Sequence, residues 1–305
     1  MEKAIHICYA LHDAGGHFTK FLGTSLLSVL EHTEEPVCVH ILLDGSVSEE
    51  NRARLREVVD DYDQALVFHE MDRLFARPLR RLQLVRPDIA RGRCTVATYY
   101  RLFLPSLLPG ERVLYLDADT VVTCDLRTVY DGVACASGLA ARPEPIAAER
   151  LLPSSQGVVT PVRYFNAGVL LFDFARLQGA QDGTALTQRW LDFLAGHPTE
   201  PYNDQDLLNH FYSETYETLP PAAHMLVPER QMQGLRDLPP GLYHFDAMSL
   251  CMLRPDDVYD RLFFTYFTLT PWCDADFLLR AFSAIRCAVP DPVPVVYGVQ
   301  LLREL

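Results

Sequence analysis

The chain alternates short apolar runs with polar turns. Residues 4–11 (AIHICYAL) form the first run, closed by His12-Asp13 and then Gly15-Gly16. A run of that length bounded by turn signals predicts a buried strand, with its loop at the edge where open α/β sheets bind ligands. Phe18, Leu22, Leu26, Leu27, Val29 and Leu30 then recur at helical spacing. A second strand is predicted at Val37–Leu43, ending in Asp44-Gly45. Ser48 followed by Glu49, Glu50 and Asn51 predicts a capped helix running to about Asp61, because acids in the first turn suit the helix dipole. A third strand is predicted at about Ala65–His69. This β-α-β-α-β order predicts an α/β fold with a Rossmann-like, mostly parallel sheet flanked by helices.

Further along, residues 95–107 (TVATYYRLFLPSL) predict a short helix with Tyr99, Leu102 and Phe103 on one side. Strands are predicted near Val133–Ala140 and at Tyr164–Phe172, with a Pro- and Ser-rich loop at 142–161 between them. Helices are predicted from Thr184 to about Leu194 and from Tyr202 onward. Leu242–Phe245 predicts a short strand, and residues 258–269 are apolar and aromatic. The end of the chain, with Pro290, Pro292 and Pro294, reads as a tail or docking segment.

The stretch Arg112 to Asp125 (RVLYLDADTVVTCD) organises the rest. Val113–Leu116 suits a strand buried in a parallel sheet and leads into Asp117-Ala118-Asp119. Residues two apart on an extended chain face the same way, so both carboxylates project together from the strand end. Two carboxylates are a poor pair to bury without a cation between them, which points to a hard divalent ion. The bland alternative is a turn in which one Asp caps the next segment. Seven arginines (73, 77, 80, 81, 86, 91 and 93) fall between residues 73 and 93. They read either as a solvated connection or as a basic lip for an anionic acceptor or phosphate-bearing membrane surface.

A formal net charge of -13 argues against a nucleic-acid binder. The eight cysteines form no C-x-x-C pair, so no zinc or thioredoxin-type motif is indicated, and several read as small core residues. No signal peptide is recognised, and no apolar run reaches the roughly 18 residues of a membrane span, so a reduced cytoplasmic protein is expected. No G-x-G-x-x-G, P-loop or G-x-S-x-G sequence occurs.

The order of the pieces is more specific than any one of them. T-x-Y-x-R-L, L-Y-L-D-A-D, Y-F-N-A-G-V-L-L, N-D-Q-D-L-L-N and a late Y-H-F follow one another within residues 4–245. Together they resemble glycosyltransferase family 8, the retaining nucleotide-sugar transferases of GT-A type that include glycogenin and bacterial lipopolysaccharide glucosyl- and galactosyltransferases. The resemblance implies a Mn²⁺ (or Mg²⁺) ion on Asp117, Asp119 and His244, gripping the diphosphate of a UDP-sugar. It implies Arg101 over the sugar and phosphate, with Ala118 in the same donor-binding set. Asn166 and Ala167 would line the sugar site, Asp204 would bond sugar hydroxyls, and Gln205 would lie near the anomeric carbon. The end of the first strand, Tyr9, Ala10, His12 and Asp13, would hold the base and ribose.

Gln205 is an amide and a weak nucleophile, so same-face attack by the acceptor is expected, with Asp204 as the fallback nucleophile. On residues alone, a lone His such as His244 is more often structural than a ligand, and Asn203 or Asp204 could simply cap a helix. His244 is followed by Phe245-Asp246-Ala247 where relatives have Gly and then Lys-Pro-Trp, and the chain's lysines are Lys3 and Lys20 alone. Arg254 is a candidate replacement for the missing lysine.

The expected activity is Mn-dependent hexosyl transfer from UDP-glucose or UDP-galactose to a saccharide or glycolipid acceptor. The expected setting is bacterial cell-surface polysaccharide or lipopolysaccharide assembly, cytoplasmic or peripheral at the inner face of the membrane. Residues 1–250 would form the catalytic domain and 251–305 an accessory docking region. Two rivals stand beside this reading. One is a sugar-nucleotide-binding protein that has lost turnover. The other is a haloacid-dehalogenase-type phosphatase, whose first motif is also an apolar strand followed by Asp-x-Asp, as at Leu116 to Asp119.

Overall fold

A computed structural model of the chain describes residues 4–86, 89, 92, 94–144, 151–153, 159–161, 163–179, 182–197, 204–246, 254 and 256–280. Its central sheet holds seven strands in the order β10-β6-β9-β4-β1-β2-β3. These are β1 (Ile5–Leu11), β2 (Val37–Leu43), β3 (Ala65–Glu70), β4 (Arg112–Leu116), β6 (Leu139–Pro143), β9 (Phe165–Asp173) and β10 (Glu217–Thr218). β1 pairs in parallel with β2 and β4, and β2 with β3. β9 runs antiparallel between β4 and β6, which makes the sheet mixed at that side. A second sheet joins β11 (Met225–Leu226), β12 (Leu242–His244) and β5 (Thr120–Val122).

Both faces of the large sheet are covered, which is why its strands read as unbroken apolar runs. Ile5, Ile7, Tyr9 and Leu11 point toward α1 (Thr19–His32) and α2 (Glu49–Asp60). Cys8 and Tyr115 point into the opposite layer, with a 3-10 helix at Val96–Phe103 and helices Gly183–Gly196 and Asp204–Tyr212. Ser48 caps α2 as expected, its side chain accepting from the Asn51 amide.

Several expectations need correction. The strand placed near 133–140 begins only at Leu139, because Cys135 (φ 46) and Gly138 (φ 92) turn the chain just before it. The loop at 142–161 contains a hairpin of β7 (Leu151–Pro153) and β8 (Val159–Pro161). The arginine-rich connection is helical at Met71–Leu74 and Ala76–Val85. Arg73, Arg77, Arg80 and Arg81 are exposed, but Arg86 is buried, donating to the His197 carbonyl and standing 5.8 Å from the Tyr99 ring. Arg91 and Arg93, Asn203, Cys251 and Cys287 lie outside the described residues, as does the proline tail.

Helix Val258–Phe267 packs on α1, and Phe263, Phe267, Trp272 and Phe277 belong to the same apolar layer as β1. Trp272 lies so close over Gly23 that a Cβ there would come within 2.2 Å of the indole, and its N–H donates to Asn51 at 2.9 Å. The described residues beyond 250 thus share the core of the main sheet.

Candidate active site

At the C-terminal ends of β4 and β1 lies a cleft of about 420 Å³. β4 ends at Leu116, and the Asp117 amide bonds the Gly168 carbonyl across to β9 at 2.8 Å. The chain then turns into β5, whose Thr120 pairs with His244 of β12. That antiparallel register brings His244, far away in sequence, beside both carboxylates. One ligand atom from each of Asp117, Asp119 and His244 falls within 4.8 Å of the others. His244 Nε2 is 3.4 Å from Asp119 Oδ1 and 3.9 Å from Asp117 Oδ2.

The electrostatics of this trio favour positive charge between the two acids. Burial alone would push the His244 imidazole down, but Asp119 and Asp117 outweigh it and raise it to about 9. Burial pushes the Asp117 carboxyl up, opposed by Arg101 and His244. The acids thus recruit a proton on His244 when no metal is present. Two carboxylates and an imidazole are a donor set that fits Mn²⁺ or Mg²⁺.

Two further residues shape the trio. Gly168 lies under the His244 ring, where a Cβ would come within 2.1 Å of Cε1. His224, wholly buried, places Nε2 3.0 Å from His244 Nδ1. Its own Nδ1 has no hydrogen-bond partner, and burial pushes its imidazole well below the ordinary value. Sequence reading missed both residues. His224 sits in a short irregular segment with no local pattern to mark it.

Arg101 forms the wall beside the acids. Nη2 is 2.9 Å from Asp117, Nη1 donates to the Ala167 carbonyl, and the guanidinium lies 4.2 Å from the Tyr115 ring centroid. Arg101 Nε is 3.0 Å from Asp204 Oδ2, yet neither atom makes an aligned hydrogen bond. Burial raises the Asp204 carboxyl to about 6 against the pull of Arg101. Gln205 Oε1 accepts from the Ala167 amide at 2.8 Å, while its Nε2 donates to Glu144 and the Tyr164 hydroxyl. Asn166 Oδ1 accepts from the Gly168 amide.

Of the residues expected from sequence, Ala10, His12, Arg101, Asp117, Ala118, Asp119, Asn166, Ala167, Asp204, Gln205 and His244 all line the cleft. Tyr9 and Asp13 do not. Tyr9 faces the other side of the sheet, where its hydroxyl bonds Ser25, which in turn bonds Thr120 behind the acid turn. Asp13 is turned inward, accepting from the amides of His17, Phe18 and Thr19 at the start of α1. His12 reaches the cleft but is tied at 2.8 Å to Asp44, which also takes a hydrogen bond from Tyr100. Arg254 is engaged with Asp257 and Asp260 and does not line the cleft.

Comparison with known proteins bears on this cleft. The profile of glycosyl transferase family 8 matches residues 9–237, so the matched span holds both acids, Arg101, Asn166 and Gln205 but stops before His244. General stress protein A of Bacillus subtilis (strain 168) is 26% identical over 227 residues, 72% of this chain and 73% of that protein. The structure of galactosyltransferase LgtC in complex with donor and acceptor sugar analogs superposes with a TM-score of 0.67 at 18% identity, over 90% of this chain and 99% of that one. The bifunctional glycosyltransferase WbbM gives a TM-score of 0.67 at 18% identity over 89% of this chain, which spans 51% of WbbM. The fold is thus of GT-A type, and the phosphatase alternative is displaced. With three quarters of its length matched by one family profile, the chain belongs to glycosyltransferase family 8.

Proposed function

We propose that this glycosyltransferase moves a hexose, glucose or galactose, from a UDP-sugar to a saccharide or glycolipid acceptor with retention of configuration. Asp117, Asp119 and His244 would hold Mn²⁺ or Mg²⁺. The observation that carries the reading is the convergence of that trio with Arg101, Asn166, Ala167, Asp204 and Gln205 on one cleft. The solved relative bound to donor and acceptor sugar analogs supports a sugar donor here. Such a metal ion, when bound, supplies Lewis-acid stabilisation of the negative charge on a departing diphosphate.

The chain's own residues position the sugar. Asp204 lines the cleft and accepts from a sugar hydroxyl. Arg101, braced by Asp117 and Asp204, lines the cleft and would sit over the donor's sugar and phosphate region. Gln205 has its amide oxygen occupied by the Ala167 N–H. An amide oxygen so engaged is a poor nucleophile, which favours same-face attack by the acceptor over a covalent intermediate. The proposed setting is cell-surface polysaccharide or lipopolysaccharide assembly at the inner face of a bacterial membrane. No helix among the described residues is long and apolar enough to cross a membrane.

The test is UDP release from a panel of UDP-sugars, with Mn²⁺ and with EDTA, on native protein and Asp119→Ala. Metal-dependent release from one sugar, lost in the variant, is the expected result. Donor binding without release, with acceptors supplied, would favour a binding protein that has lost turnover, the reading motivated by the lack of any lysine beyond Lys20. No donor binding at all would overturn the proposal.

A further inference from the structure

Toward the other end of β1, three neighbouring strands bring histidines into a row. His6 Nδ1 of β1 lies 3.0 Å from His40 Nε2 of β2, and His40 Nδ1 lies 3.0 Å from His69 Nε2 of β3. Successive rings stack with centroids 5.3 Å apart. The parallel register pairs His6 with Cys38 and Cys8 with His40. Cys38 and His40 are two apart on one strand, so both share a face with His6. One ligand atom from each of His6, Cys38 and His40 falls within 4.8 Å of the others. Five residues of strand separate His6 from His12, a span of about 20 Å, so this cluster is distinct from the cleft at the other end of β1.

We infer that His6, Cys38 and His40 form a second metal site, built for a borderline-soft divalent ion of the Zn²⁺ class. Two imidazoles and a thiolate favour zinc over Mg²⁺ or Mn²⁺, and three protein ligands leave the fourth tetrahedral position to water. The outer shell has the form such a site requires. His69 occupies Nδ1 of His40, which leaves Nε2 directed at His6. Glu111 stands 3.9 Å from His6 Nε2, placed to take that N–H when Nδ1 turns to the ion. On binding, the Cys38 thiol releases its proton to solvent and the metal takes the thiolate, with no change of oxidation state. His40 is buried, whereas His6 and Cys38 are partly exposed and give the ion an entry path.

The test uses full-length protein carrying Asp117→Asn and Asp119→Asn, stripped with chelator, so that the cleft acids do not compete. Cobalt(II) serves as the spectroscopic probe and zinc as the competitor. One equivalent of cobalt should bind with a near-ultraviolet thiolate-to-cobalt charge-transfer band, and zinc should displace it. Cys38→Ser should abolish the band and weaken zinc by at least ~10-fold, and His6→Gln, at a partly exposed position, should weaken zinc without loss of fold by circular dichroism. Cys94→Ser should change neither reading. Absence of the band, or the same band and zinc affinity in Cys38→Ser, would overturn the assignment, as would loss of the band in Cys94→Ser.

Discussion

His224 Nε2 stands 3.0 Å from His244 Nδ1, and the two rings are buried together behind the acid pair. A histidine that presents Nε2 to a metal carries its proton on Nδ1 and needs an acceptor there. On the metal site proposed above, His224 would be that acceptor. His224→Phe, which keeps the bulk and removes the acceptor, should weaken Mn²⁺ binding by roughly 10- to 100-fold in calorimetry. His224→Gln, which restores an acceptor, should recover most of it. Equal affinity in the Phe variant would show that His224 only packs.

Gly168 allows the same ring to lie against β9. A methyl group there would sit 2.1 Å from His244 Cε1 and 2.7 Å from Nδ1. Gly168→Ala should therefore push the imidazole off the acids while the strand stays paired. We expect Mn²⁺ affinity to fall at least ~10-fold, against a stability cost of about 1–3 kcal/mol. Unchanged affinity would mean that the imidazole is not a ligand.

Gln205 bears on the route of retention. Its oxygen faces the Ala167 amide and its nitrogen faces Glu144 and Tyr164. Native protein quenched with donor should show no glycosyl adduct by intact mass spectrometry. An adduct mapped to Asp204 would replace same-face attack with a covalent route.

Trp272 tests whether the chain beyond residue 250 is an appendage. Its indole packs on Gly23 and bonds Asn51. Trp272→Ala should cost about 3–5 kcal/mol, and denaturant unfolding should keep a single transition. A separate early transition, with the rest unaffected, would show an independent unit.

Asp260 makes stability fall as pH rises. Burial raises its carboxyl to about 6 from the ordinary 3.8, against hydrogen bonding and charge from Arg254. The folded state therefore holds this proton more tightly than the unfolded state. The contribution is fully present below pH 4 and is lost as pH climbs from about 4 to 6, on the order of 3 kcal/mol. Asp260→Asn should remove that component of the profile and be the more stable protein at pH 7. A wild-type slope retained in the variant would place the titration elsewhere.

The sequence made some of this legible and hid the rest for physical reasons. β1 and β2 are legible almost to the residue because each is buried on both faces and bounded by polar turns, and the partly exposed edge strand β3 is legible from its short apolar run alone. The same double burial hid which side a residue faces. Tyr9 and Ala10 read alike in an apolar run, yet only Ala10 meets the cleft. Asp117 and Asp119 stood out because carboxylates at the end of an apolar strand demand an explanation. His224 carried no such signal, since its contact with His244 depends on pairing of β11 with β12. The strand at Leu139–Pro143 was shifted because turn geometry at Cys135 and Gly138 is invisible in hydropathy. Arg86 looked like its exposed neighbours until a carbonyl from helix Gly183–Gly196's far end and the Tyr99 ring enclosed it.

Asp13 has a consequence for electroneutrality. A helix N-terminus beside a strand end is a ready seat for phosphate, but at α1 three amides already serve the Asp13 carboxylate. Among the described residues lining the cleft, Arg101 is the one lysine or arginine side chain, and it is already matched by Asp117 and Asp204. A diphosphate arriving alone would thus be an anion among anions. The species this cleft selects, on the function proposed above, is a salt: the sugar nucleotide together with its counterion.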